Sequence, residues 1–236
     1  MTRLPIFPLH TVLFPHLPLP LNVFEARYRA MVRDLLADGS PYAGRFVVSL
    51  ITDGSELGDA PERQPDPQAV GTLAELRHAE RTADGRWVLL TLGGPRVAIG
   101  RVDRSGLYAV AEVTELPEVV GDPPPQGLAG LMDSVQAALD AYLSSVKHFA
   151  AVASSTGHHM NDVLKPIRLP EDPLAASYAA ASLIQIELVR KQRLLELPDA
   201  VSRLDAVRRL LLREAGLLGD GALPPVVAGD LRYNPN

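Results

Sequence analysis

Ser144 and Lys147 stand three residues apart in SSVK, the S-x-x-K spacing that on a helix brings a hydroxyl nucleophile beside a lysine base. The same helical period turns both away from the centre of the stripe Leu131, Val135, Leu139 and Val146, toward the face that meets water. A solvated ammonium holds its proton and makes a poor base. With no S-D-N or K-T-G companion downstream, the pair reads as a solvated helix face, and a Ser–Lys hydrolase is the alternative. His158-His159 offers two imidazoles in a Ser/Gly-rich stretch with Asp162 as the one close carboxylate; a zinc site needs three or four ligands, so no metal is expected. Gly93-Gly94-Pro95 lacks the third glycine of a dinucleotide loop and reads as a hairpin turn. None of Lys147, Lys165 and Lys191 follows a glycine, which excludes a phosphate-binding P-loop. No cofactor is expected.

Composition narrows the chemistry further. The absence of cysteine removes thiol catalysis, iron–sulfur ligation and every cysteine-containing zinc site. At 236 residues, 47% hydrophobic and 22% charged, the chain can bury a full core without a staple. The 23 basic residues are scattered and the net charge is −5, so no row of cations is available for nucleic acid. The opening MTRLPIFPLHTVLFPHLPLPL is apolar, but prolines at positions 5, 8, 15, 18 and 20 break any continuous helix. Neither a signal peptide nor a membrane span fits, and a soluble cytoplasmic protein is expected.

The elements that must position these residues change character along the chain. Residues 1–118 read as β-rich: 45–51, 86–92, 96–102 and 107–115 carry β-branched and aromatic enrichment. The proline-bearing segments 4–9 and 17–23 are expected at sheet edges. Asp84-Gly85 and Arg104-Ser105-Gly106 supply turns. One helix interrupts this region, with Asn22 as cap, Glu25 completing a capping box, Gly39 as stop, and Phe24, Tyr28, Met31, Val32, Leu35 and Leu36 as its stripe. Residues 53–68 are too acidic and proline-rich to bury a face and read as a surface loop. Residues 119–127 (VVGDPPPQG) form a stiff connector. Beyond it the period becomes 3.6, with helices over 128–149, over 174–195 after Asp172-Pro173, and from Pro198-Asp199 to Gly216. The predicted fold class is α+β: a barrel- or sandwich-like β-rich domain with one helix, then an α-helical bundle over 128–216, and a loosely ordered tail, 217–236.

The opening L-P-x-F-P-L, V-L-F-P, L-P-L and F-E-x-R-Y (Phe24-Glu25-Ala26-Arg27-Tyr28) resembles the start of the Lon protease N-terminal, substrate-binding domain, closest to its stand-alone bacterial relatives. The resemblance continues through Val70-Gly71-Thr72, Gly93 and Arg96 of a G-x-x-R pattern, and the helical stretch 172–211 with its K-Q-x-L-L-E core. It implies a β-rich domain followed by a helical bundle, together the part that in the full protease contacts substrate proteins and helps assembly. The AAA+ ATPase and Ser–Lys peptidase of the full protease are not matched, so the implied function is non-enzymatic binding of unfolded or extended polypeptides, as an adaptor or modulator of a proteolytic machine. A homodimer is compatible with it; nucleic acid and membrane are not expected as partners. Phe14, Leu17, Leu19, Phe24 and Tyr28 are the peptide-contact candidates, with core packing the stronger reading for Phe24 and Tyr28. An interaction protein with one dedicated partner or small-molecule ligand is the remaining alternative.

Overall fold

Two prolines do not keep the first strand at an edge. In the computed structural model, which describes residues 2–51, 66–153 and 166–219, β1 (Thr2–Leu9) lies between β6 (Val110–Glu115) and β3 (Arg45–Leu50). Its first half, Thr2 to Pro5, pairs antiparallel with β6, and its second half, Ile6 to Leu9, pairs parallel with β3. Pro5 and Pro8 therefore fall in different ladders, and neither ladder has to carry both missing donors. The parallel pair requires a crossover, which contains β2 (Pro18–Val23) and α1 (Ala26–Leu36).

The remaining strands are β4 (Val70–Arg81) and β5 (Trp87–Asp103), giving one six-stranded sheet in the order β2-β5-β4-β3-β1-β6, with β5 also pairing β6. The segments 86–92 and 96–102 are thus one strand, and Gly93-Gly94-Pro95 is not a hairpin turn. The glycines serve close approach instead. A Cβ at Gly93 would stand 2.3 Å from the Phe14 carbonyl oxygen, and the Gly93 N–H donates to Leu17 O while Gly93 O accepts from the His16 N–H, both at 2.8 Å. The Asp84-Gly85 turn does join β4 to β5, with Gly85 at φ 82°.

Helix α1 starts later than the capping-box reading predicts. Asn22 is held in the β2 ladder opposite Val88, so Glu25 takes the cap position, makes no side-chain cap bond, and pairs with Arg27 at 2.8 Å. Tyr28, Met31, Val32 and Leu35 are buried as the stripe predicts, whereas Leu36 is exposed. The α1 stripe joins Phe7, Leu21, Phe46 and Leu89 in one apolar cluster. Leu4, Ile6, Val47, Val97, Ala111 and Val113 form a second.

The helical region holds α2 (Gly127–Ala153), α3 (Pro173–Leu183), α4 (Leu188–Glu196) and α5 (Ala200–Gly219). Asp172 caps α3 by accepting from the Ala175 N–H at 2.8 Å, ahead of Pro173. The predicted helix over 174–195 is two helices. It breaks after Leu183, where the Gln185 N–H donates to the Tyr142 hydroxyl oxygen instead of continuing the helical ladder. Gly216 does not end α5, which runs on to Gly219.

The chain divides into two compact units. Of the described residues, those up to Glu118 together with Glu187–Glu196 make one; those within Val119–Ile186 and from Leu197 to Gly219 make the other. In the first, Gln192 of α4 donates to the Val70 carbonyl at 2.9 Å. In the second, Leu131, Val135, Leu139, Leu204, Val207 and Leu211 are buried. There the buried Arg203 bonds Ser177 Oγ and the Leu197 carbonyl and lies 4.0 Å over the Tyr178 ring centroid. The acidic segment between residues 52 and 65, the His158-His159 pair and the tail beyond Gly219 lie outside the described residues.

Candidate functional site

The five peptide-contact candidates do not form one exposed patch. Phe14 and Tyr28 are each 2% exposed, so as the molecule stands neither can touch a partner. Tyr28 packs on Phe7 at 4.3 Å between ring centroids, and the Arg27 guanidinium sits 4.6 Å from the centroid of the Tyr28 ring. Leu19 is half-buried against the core cluster beneath β2. Leu17 and Phe24 are half-buried at the two ends of β2. Ser144 and Lys147 are both exposed on α2, on the face opposite its buried stripe. Among the described residues no group of three or more histidines and carboxylates could hold a metal ion.

The exposed apolar surface lies one residue out of phase with the candidates. In β2, the odd positions Leu19, Leu21 and Val23 face inward, and Pro18, Pro20 and Asn22 face outward beside Leu92, Leu90 and Val88 of β5. Val88 and Leu90 are 43% and 44% exposed. The outer face of this pair is a row of proline, leucine and valine side chains. On its far side stand His78 and Glu80 of β4, opposite Leu90 and Val88. Sequence reading missed Val88 and Leu90 because RWVLLTL reads equally well as a strand buried on both faces.

The edge beside this row is chemically blunted. The Gly93 N–H to Leu17 O bond sets the phase of the β2–β5 ladder, so Leu19, Leu21 and Val23 direct their N–H groups to β5 and positions 18, 20 and 22 direct theirs outward. Two of those three outward positions are prolines. The free edge of β2 therefore offers mainly carbonyl acceptors, a pattern that resists addition of another strand.

Next to Val88 an open depression of about 460 Å³ is lined by Asn22, Thr82, Ala83, Asp84, Arg86 and Val88. Its one carboxylate is engaged: Asp84 accepts from Arg86 Nε and Thr82 Oγ1, each at 2.5 Å. Those bonds, the Arg86 bond foremost, hold its carboxyl well below the usual carboxylate range. The depression thus presents an internally neutralised ion pair beside apolar surface.

Similarity to known proteins matches this architecture. The family model for the ATP-dependent protease La (LON) substrate-binding domain matches residues 3–213, and the chain belongs to that family. Lon protease 2 of Syntrophobacter fumaroxidans is 26% identical over 90% of this chain and 24% of its own length. Lon protease 1 of Thermus thermophilus is 29% identical over 90% of this chain and 25% of its own length. The chain thus spans about a quarter of the length of these curated relatives. The crystal structure of a Lon N-terminal domain protein from Xanthomonas campestris superposes with a TM-score of 0.57 at 26% identity, covering 89% of this chain and 98% of that one. The N-terminal domain of a Mycobacterium avium complex Lon protease shares the fold, with a TM-score of 0.59 at 18% identity over 91% and 98% of the two chains. No helix among the described residues is long and apolar enough to cross a membrane.

Proposed function

We propose that this chain is a non-catalytic polypeptide-binding module that captures unfolded or extended segments in the cytoplasm and acts as an adaptor or modulator of proteolysis. The observation that carries the reading is the match to a substrate-binding domain over residues 3–213. The Val88–Leu90 row, with Pro18 and Pro20 beside it, supports it as a surface suited to apolar side chains of varied sequence. Leu17 and Phe24, half-buried at the two ends of β2, serve as secondary contacts. Because prolines remove two of the three outward donors of the β2 edge, capture is weak and rests on apolar burial, not on strand addition. In this reading the ladder that returns through β5 and β6 is a small barrel, and α2, α3 and α5 are a bundle that follows it.

The test is binding of a permanently unfolded, fluorescently labelled model substrate to the full chain. Val88→Glu/Leu90→Glu places two charges in the row and is expected to weaken binding by about fivefold or more; because each side chain is less than half exposed, thermal unfolding is measured alongside to show that the variant is folded at the assay temperature. Undiminished affinity in the folded double variant would remove this surface. Absence of any binding by the folded wild type at high concentration would remove the function.

A further inference from the structure

Two arginines whose charges the described residues leave unanswered meet at the tip of the β4–β5 hairpin. Arg29 comes from α1 and Arg81 from the end of β4. Both terminal nitrogens approach one point, the place a Cβ on Gly85 would occupy, at 3.7 Å for Arg29 and 3.8 Å for Arg81. Gly85 has no side chain to fill that point, and its φ of 82° disfavours one. The nearest acid in the turn is Asp84, and its oxygens are committed to Arg86 and Thr82. Glu80 is adjacent to Arg81 in a strand and so lies on the other face of the sheet. Neither Arg29 nor Arg81 has an ion pair among the described residues. Two like charges converging on one opening repel until an anion sits between them, and planar guanidinium groups suit a carboxylate's paired oxygens.

We infer that the Arg29–Arg81 opening at Gly85 binds a carboxylate of the captured polypeptide, either an Asp or Glu side chain or the C-terminal α-carboxylate. This rests on the polypeptide-binding reading above and adds a sequence preference to it. Gly85 is three residues from Val88, but Arg81, opposite Trp87, lies on the other face of the sheet from Val88 and Leu90, so a chain laid along the apolar row reaches the opening by passing over the end of the hairpin. The favoured segment carries apolar side chains followed closely by an acidic group. A phosphate polymer fits less well: there are two unpaired guanidinium groups, not a row, with the Asp84 carboxylate close by and a net charge of −5 on the chain.

Fluorescence anisotropy with labelled extended peptides tests this. Four peptides share an alternating Leu/Val core, end in Asp-Glu or Asn-Gln, and carry a free or an amidated C-terminus. The wild-type chain is expected to bind carboxylate-bearing peptides about tenfold more tightly than the fully amidated Asn-Gln peptide, and high salt should erase the difference. Tighter binding that survives amidation assigns the side-chain carboxylate, and tighter binding of the free-ended Asn-Gln peptide assigns the α-carboxylate. Arg29→Gln/Arg81→Gln should abolish the preference while leaving affinity for the amidated Asn-Gln peptide unchanged, which also reports that the variant is folded. Arg29→Lys/Arg81→Lys should retain part of it. Equal wild-type affinity for all four peptides, or a preference that survives Arg29→Gln/Arg81→Gln, overturns the inference alone. Failure to bind any of the four overturns it together with the polypeptide-binding reading.

Discussion

Arg96 of β5 donates from Nη1 to the Leu195 carbonyl oxygen of α4 at 3.0 Å, across 99 positions of the chain. Its other nitrogens bond Glu118 Oε1 at 2.9 Å and the Pro117 carbonyl at 3.1 Å. At 2% exposure the guanidinium is affordable only because its donors meet a carboxylate and two carbonyls. A short helix distant in sequence thereby becomes part of the β-rich unit.

Arg96→Met keeps the volume and removes the charge, leaving the Leu195 and Pro117 carbonyls and the Glu118 carboxylate without that partner. It should lower stability by about 3 kcal/mol, read as a reduced midpoint in denaturant unfolding. Amide exchange of the α4 backbone should rise more than that of β3.

Gly93→Ala and Gly216→Ala should move stability in opposite directions. A Cβ at Gly93 collides with the Phe14 carbonyl, so the strand or the 14–17 segment must shift, at a cost of about 3 kcal/mol. At Gly216, inside α5 and exposed, a Cβ meets nothing within 4 Å. Alanine there should raise stability by about 0.8 kcal/mol through helix propensity. Parallel urea titrations decide both.

Tyr108 should make the fold sensitive to alkali. Burial, reinforced by the 2.6 Å bond from its hydroxyl to Asp34, raises its pKa above the ordinary value of 10.0. The unfolded chain then loses that proton first as pH climbs past 10, so stability present below pH 10 declines above it. Tyr108→Phe should cost about 1 kcal/mol at neutral pH and give a shallower decline in unfolding free energy between pH 9 and 11. Tyr142, also raised by burial, should keep a residual slope in the variant.

Asp103 should titrate at about 2, held there chiefly by the Ser105 hydroxyl and backbone N–H and then by Arg3. Whatever stability it adds is present above pH 3.8 and lost as pH falls through its folded value. Carbon-detected NMR titration should place its midpoint near that value in the wild type. In Ser105→Ala the midpoint should rise toward 3.8, farther than in Arg3→Gln.

Much of the fold was legible because local chemistry and tertiary demand agree. The Asp84-Gly85 turn, the Asp172-Pro173 helix start and the Leu131–Val135–Leu139 stripe each read correctly, since a positive φ, a cap and a 3.6-residue period are properties of a few neighbouring residues. The readings that failed needed distant partners. Gly93-Gly94 looks like a turn until Phe14 is known to press on it, Asn22 looks like a cap until β5 claims it, and 174–195 looks like one helix until the Tyr142 hydroxyl takes the Gln185 N–H. The candidate surface shows the same split. An apolar strand can be recognised from its residues, but which alternate positions face water depends on the register that the Gly93–Leu17 bond sets.

By itself the sequence determined the α+β character, the lack of any cysteine-based chemistry and the substrate-binding family, because composition, periodicity and motif are written along the chain. Tertiary structure alone decided that Phe14 and Tyr28 are core while Val88 and Leu90 are surface, that α4 joins the strands, and that Arg29 and Arg81 converge on Gly85. Those outcomes depend on burial and on meetings between residues far apart in the chain, and such meetings exist only once the strands and helices have packed.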